Sequence, residues 1–132
     1  MTKHSKNRLT VGIVGLLASG ALAWQLNAAD TKSDDVIKEV MKTYHKAPKG
    51  VDPICKKAVD GQATPEELKK LVAGYVSMAK AKAPQGDAAS WKEKTEKLVA
   101  TSKALQKGEA GAAAKYKDAV NCKACHSVHQ PD

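Results

Sequence analysis

Apolar residues recur every three or four positions along four stretches of this chain, which is the spacing of one face of an α-helix. They predict helices over about 34–45, 64–83, 90–107 and 110–129, with a short helical turn between the first two. No segment shows the sustained alternation of apolar and polar residues that predicts a strand. The following residues are expected on the inner helix faces: Val36, Ile37, Val40, Met41, Tyr44, Leu68, Leu71, Val72, Tyr75, Val76, Ala79, Trp91, Thr95, Leu98, Ser102, Leu105, Ala113, Tyr116, Val120 and Ala124.

Residues that favour helix ends support these boundaries. Ser33 or Asp34 can cap the first helix, and residues 64–67 (Thr-Pro-Glu-Glu) and 90–93 (Ser-Trp-Lys-Glu) both have the pattern of a capping box. The connecting loops are short, which favours antiparallel neighbours. The sequence therefore predicts an all-α protein, arranged as an antiparallel up-down-up-down four-helix bundle.

The N-terminal stretch has the pattern of a secretory signal peptide. Three basic residues precede an uncharged run over 9–24, and small residues then precede the acidic Asp30. We expect a signal peptide over 1–29, cleaved after Ala28 or Ala29, and a mature domain over 30–132. The alternative is an uncleaved anchor, although the run is shorter than the roughly 20 residues that span a membrane. Cleavage predicts an exported, periplasmic protein of bacterial type, with no stable membrane insertion.

The charge pattern of the chain argues against nucleic acid as a partner. The whole chain carries +8, but removal of Lys3, Lys6 and Arg8 takes 22 basic residues to 19, all lysine, against 14 acidic ones, which leaves +5. The lysines alternate with acids around the helices, and no arginine remains to bind phosphates or base edges. Nucleic-acid binding is therefore not expected. Scattered lysines usually serve solubility, and a positive face that steers encounter with an acidic redox partner is the other interpretation.

The most specific motif lies near the C-terminus, at 122–126 (Cys-Lys-Ala-Cys-His). This spacing is the attachment sequence of c-type haem (heme c), in which Cys122 and Cys125 form thioethers and His126 binds the iron. The alternatives are a disulfide, a thioredoxin-like redox pair and half of a zinc site. Zinc normally needs a second ligand pair, which the sequence lacks, and a thioredoxin-like pair belongs to a βαβ unit. We expect one covalently attached haem, which agrees with export because haem is attached outside the bacterial inner membrane.

Helical geometry suggests how the cofactor is held. Cys122 and His126 are four positions apart and share a face of the fourth helix, whereas Val120 and Ala124 point the other way, into the bundle. The first helix is the best candidate to cover the opposite side of the haem.

The C-terminal motif in an exported four-helix chain of this size resembles the class II cytochromes c, the cytochrome c′ family. The resemblance covers the whole mature chain, although only the motif is specific. In that family the first helix supplies the residue over the open haem face, and low-spin members use a methionine there. The segment 40–42 (Val-Met-Lys) matches that pattern, so the resemblance implies Met41 as the sixth ligand. Ile37 and Gln130 depart from it, since many members have arginine and a basic residue at those places.

His45, one turn after Met41, is the rival sixth ligand, and five-coordinate iron is the third interpretation. Six-coordinate iron predicts single-electron transfer with redox partner proteins, whereas a vacant iron site predicts a cytochrome c′-like protein that binds NO or CO. The sequence shows no acid–base constellation that would predict an enzyme. His129 is expected to be a packing or surface residue. Cys55 is left over, either as a small buried residue or as an intermolecular disulfide in a homodimer.

Overall fold

The computed structural model of the protein describes the backbone of residues 21–131 and the side chains of residues 32–131. Within that part of the chain every regular element is a helix, so the all-α prediction is confirmed. The helices are α1 (Ala21–Tyr44), α2 (Ile54–Val59), α3 (Pro65–Lys80), α4 (Ala88–Gln106), α5 (Ala112–Ala119) and α6 (Cys122–His129). No helix in this described part is both long and apolar enough to cross a membrane.

The first helix begins earlier than the capping pattern predicts. The structure places Ser33 inside α1, where its Oγ accepts a hydrogen bond from the backbone N–H of Lys82 at 3.2 Å. Ser33 therefore ties α1 to the segment after α3 instead of capping a helix. The predicted cleavage sites after Ala28 and Ala29 fall within α1, whereas the apolar run of the predicted signal peptide begins outside the described residues.

The capping box predicted at 64–67 is confirmed. Thr64 Oγ1 accepts from the backbone N–H of Glu67 at 3.1 Å, and the Glu67 carboxylate accepts from the backbone N–H of Thr64 at 2.8 Å. The box predicted at 90–93 is wrong. Helix α4 begins at Ala88, and its N-cap is Asp87, whose carboxylate accepts from the N–H of Ser90 at 2.7 Å. The charged carboxylate is the stronger acceptor for the positive end of a helix.

The single helix predicted over 110–129 is also wrong, because two helices occupy this segment. Helix α5 ends at Ala119, and Asn121 is the N-cap of α6, with its Oδ1 accepting from the N–H of Ala124 at 3.0 Å. Asparagine competes with helical backbone bonds in this way, so it favours caps over helix interiors. The break places the 122–126 motif on a separate helix from α5.

The core lies mainly between α3 and α4, which make the most extensive contact between helices, with α1 and α2 on α3 and α5 on α4. The large apolar side chains that are fully buried there are Leu71, Tyr75, Met78 and Tyr116. All of them except Met78 were predicted to lie on inner helix faces. Thr95 and Ser102 are also buried, and both hydroxyls donate to carbonyls of their own helix. The core is thus built from small and medium side chains around a tyrosine pair.

Gly74 allows the close approach of α1 and α3. It is buried, and a Cβ at this position would overlap the Tyr44 ring. We expect Gly74→Ala to destabilise the protein by about 1–3 kcal/mol through overpacking, in spite of a gain in helix propensity of up to about 1 kcal/mol. Denaturant unfolding measures this change. Truncation of Tyr44 to alanine in the same chain should remove most of the penalty, and a Gly74→Ala variant more stable than the wild type would contradict the contact.

Candidate functional site

The five residues predicted to hold the cofactor line a single cavity of about 150 Å³. Cys122, Cys125 and His126 line it from α6. Met41 lines it from the last turn of α1, and His45 follows directly after that helix. Residues about 80 positions apart in the sequence therefore line the same cavity.

The floor of this cavity is apolar and comes from α3 and α4. Met78 and Leu98 are both buried there, and Ala119 and Val120 line the side that leads into α6. Leu98 was predicted to face inward, but Met78 was not. The signal was present, because Met78 follows Tyr75 by three positions and Leu71 by seven on the same helix face.

The orientation of α6 differs from the prediction in one respect. Ala124 is exposed, whereas Cys125 is half-buried and packs against the core. The break at Asn121 explains the difference, because the face of α6 no longer continues that of α5. Val120, just before the break, packs against the core as predicted.

Neither thiol of the motif is in a disulfide. All three cysteines of the chain are free, Cys122 is exposed, and its Sγ lies 3.6 Å from the carbonyl oxygen of Val120. Burial is the main cause that raises the pKa of Cys125, since the thiolate is less well solvated there. Two free thiols from one helix thus border an apolar cavity, which suits the attachment of an apolar macrocycle.

The two histidines of the cavity have different surroundings. His126 is exposed, whereas His45 is half-buried, and burial together with the nearby His126 lowers the pKa of His45 to about 4. His45 is therefore a neutral imidazole at neutral pH, with one protonated ring nitrogen and one that accepts.

A buried chain of hydrogen bonds extends from His45 into the core. The Tyr75 hydroxyl lies 3.1 Å from His45 Nε2 and 2.6 Å from the Tyr116 hydroxyl. Both tyrosines are fully buried, which raises the pKa of each phenol and keeps it protonated. This chain joins the end of α1 to α3 and α5. Sequence periodicity placed both tyrosines in the core but gave no sign that they meet.

His129 anchors the far end of α6. It is buried, its Nδ1 lies 2.8 Å from the carbonyl oxygen of Gln85, and its Nε2 lies 3.2 Å from Ser90 Oγ. Its ring also contacts Trp91 edge-on, with the centroids 5.3 Å apart. The predicted packing role is confirmed. Because His129 is three residues after His126, this anchor also fixes the helix that carries the proximal histidine candidate.

Cys55 lies on α2, outside the lining of the cavity, as a half-buried free thiol. Burial is the largest cause that raises its pKa, and the nearby Cys122 raises it further. Whether it serves packing or an intermolecular disulfide stays a prediction.

Two alternatives for the motif find no support in the described part of the chain. Residues 32–131 contain no group of three or more His, Cys, Asp or Glu side chains arranged for a metal ion, as a structural zinc site needs. A thioredoxin-like pair needs a strand before its helix, and residues 21–131 contain none. Comparisons of the chain with protein-family models, curated proteins and solved structures found no match.

Proposed function

We propose that the chain is an exported mono-haem c-type cytochrome that transfers single electrons, and that it is of the cytochrome c′-like class II type. The observation that carries this proposal is the meeting of the attachment motif with Met41 and His45 around one apolar cavity. The donor set fits haem, since it combines two free thiols, a histidine beside them and two further candidate ligands at the end of α1 and just after it.

Each motif residue has a distinct role in this proposal. The Cys122 and Cys125 thiols would hold the haem covalently, each by addition of its S–H across one vinyl group, which involves no net oxidation. His126 would bind the iron through a ring nitrogen, and Met41 or His45 would be the second protein ligand. When bound, the haem iron provides a one-electron Fe(III)/Fe(II) couple, whose potential depends on its axial ligands and burial.

The rest of the chain serves the site in two ways. Met78 and Leu98 exclude water from the floor of the cavity, and exclusion of water influences the potential of a buried iron centre. The lysine-rich surface, with a formal charge of +5 after signal cleavage, favours acidic redox partner proteins.

We infer a four-helix bundle in which α1, α3, α4 and the α5–α6 pair are the four antiparallel members. The proposal includes a periplasmic location, and a homodimer is one candidate assembly.

The alternative function is the binding of NO or CO at five-coordinate iron. The observation that favours it is the hydrogen bond between His45 Nε2 and the Tyr75 hydroxyl, which engages one of the two candidate sixth ligands. The two functions differ in their response to CO. For electron transfer we expect a reversible one-electron reduction and a reduced spectrum that CO leaves unchanged. A rapid CO-dependent spectral change would instead support gas binding. Neither function requires an enzymatic reaction of the protein.

A further inference from the structure

We propose that Tyr75 is a positioning residue that holds His45 away from the iron and leaves Met41 as the sixth ligand. The inference rests on the haem function proposed above and deepens it. Its basis is the hydrogen-bond chain from Tyr116 through Tyr75 to His45, at 2.6 Å and 3.1 Å, beside the cavity that Met41 and His45 share.

The direction of the protons in this chain follows from the acceptors present. If Tyr75 donated to Tyr116, the Tyr116 proton would need another acceptor, and no other described residue provides one. Tyr116 is fully buried, so an unpaired hydroxyl proton there would destabilise the folded protein. The favoured arrangement therefore has Tyr116 donating to Tyr75 and Tyr75 donating to His45 Nε2.

This direction decides what His45 can do. Its Nε2 lone pair accepts the Tyr75 proton, and the neutral ring carries its own proton on Nδ1. Neither nitrogen then has a free lone pair for a metal. Coordination by His45 would require the loss of the bond to Tyr75, which would leave a fully buried phenol proton without its acceptor.

Met41 has no such competing bond. It lines the cavity one helical turn before His45, is half-buried, and packs against the core. A thioether sulfur needs no deprotonation to bind iron, and its hydrogen-bond interactions are weak. The same chain that engages His45 also joins the end of α1 to α3 and α5, so it fixes the helix turn on which Met41 lies.

The test is the near-infrared sulfur-to-iron absorption band of the oxidised haem protein, with its midpoint potential. We expect the band in the wild type, its loss in Met41→Leu, and its retention in His45→Ala. Tyr75→Phe frees Nε2, so we expect loss of the band, a protein that stays low-spin, and a lower potential, because replacement of methionine by histidine lowers it. The double variant Tyr75→Phe/His45→Ala should regain the band.

Tyr116→Phe is the matched control, because it also removes one buried phenol oxygen but leaves Tyr75 able to donate to His45. It should keep the band. A Tyr75→Phe variant that keeps the band, a His45→Ala variant that loses it, or a wild type without it would overturn the inference. If Tyr75→Phe does not fold, His45→Ala still tests whether Met41 is the ligand, and loss of the band there overturns the inference. Failure of the haem function itself is distinguishable, because the wild type would then carry no covalent haem at all.

Discussion

Replacement of Cys122 and Cys125 together by alanine will abolish covalent haem attachment in cells that carry the haem-attachment machinery. Both thiols are free and border the same apolar cavity, so each is positioned to form one thioether. The single variants should keep at most one thioether and much less haem. Intact-mass measurement of the denatured protein reports the attachment directly, since only covalent haem remains with the chain.

Cys55→Ala is the matched control for this experiment. Cys55 is a free, half-buried thiol like Cys125, but it lies on α2 and does not line the cavity. We expect it to retain one haem per chain. Haem attachment that survives in the double variant, or that requires Cys55, would contradict the assignment of the motif.

The haem-free chain will be much less stable than the haem protein. The sequence contains no Phe, and Met41, Val120 and Cys125 are only partly covered at the cavity. Full burial of one such apolar side chain contributes about 1.5–3 kcal/mol, so we expect a loss of at least about 3 kcal/mol without the cofactor. At about 4–8 °C per kcal/mol for a domain of this size, the melting temperature should fall by roughly 12 °C or more.

Thermal melts of the haem protein and of the chain expressed without haem attachment test this expectation. The Cys122→Ala/Cys125→Ala variant supplies a second haem-free form and should melt with the haem-free wild type. Equal melting temperatures for the haem and haem-free forms would show that the core is complete without the cofactor.

Local patterns in the sequence predict much of this fold. The capping box at 64–67 and the inward positions Leu71, Tyr75 and Leu98 follow from spacing alone, because neighbours on one helix face determine them. The helix break at Asn121 was missed, since the alanine-rich segment before it suggests one continuous helix. Asn121, directly before the motif, was the residue that could have predicted the break.

The candidate site also contains residues that the sequence predicts and contacts that it does not. Cys122, Cys125 and His126 are recognisable because the chemistry needs them at fixed spacing. The contact of Tyr75 with His45 joins residues 30 positions apart, and no local rule predicts it. Ser90 is a second example. It was predicted to cap its own helix, but Asp87 is the cap, and the Ser90 hydroxyl instead contacts His129 from α6.

The absorption spectrum of the purified mature protein, oxidised and reduced and repeated after denaturation and organic extraction, is the most direct test of the proposed cytochrome. We predict haem absorption that stays with the polypeptide through extraction. We also predict low-spin spectra in both oxidation states and the sulfur-to-iron band of Met41 in the oxidised one. A protein without haem, or with haem that extraction removes, would contradict the covalent site, and a high-spin spectrum would contradict electron transfer in favour of gas binding.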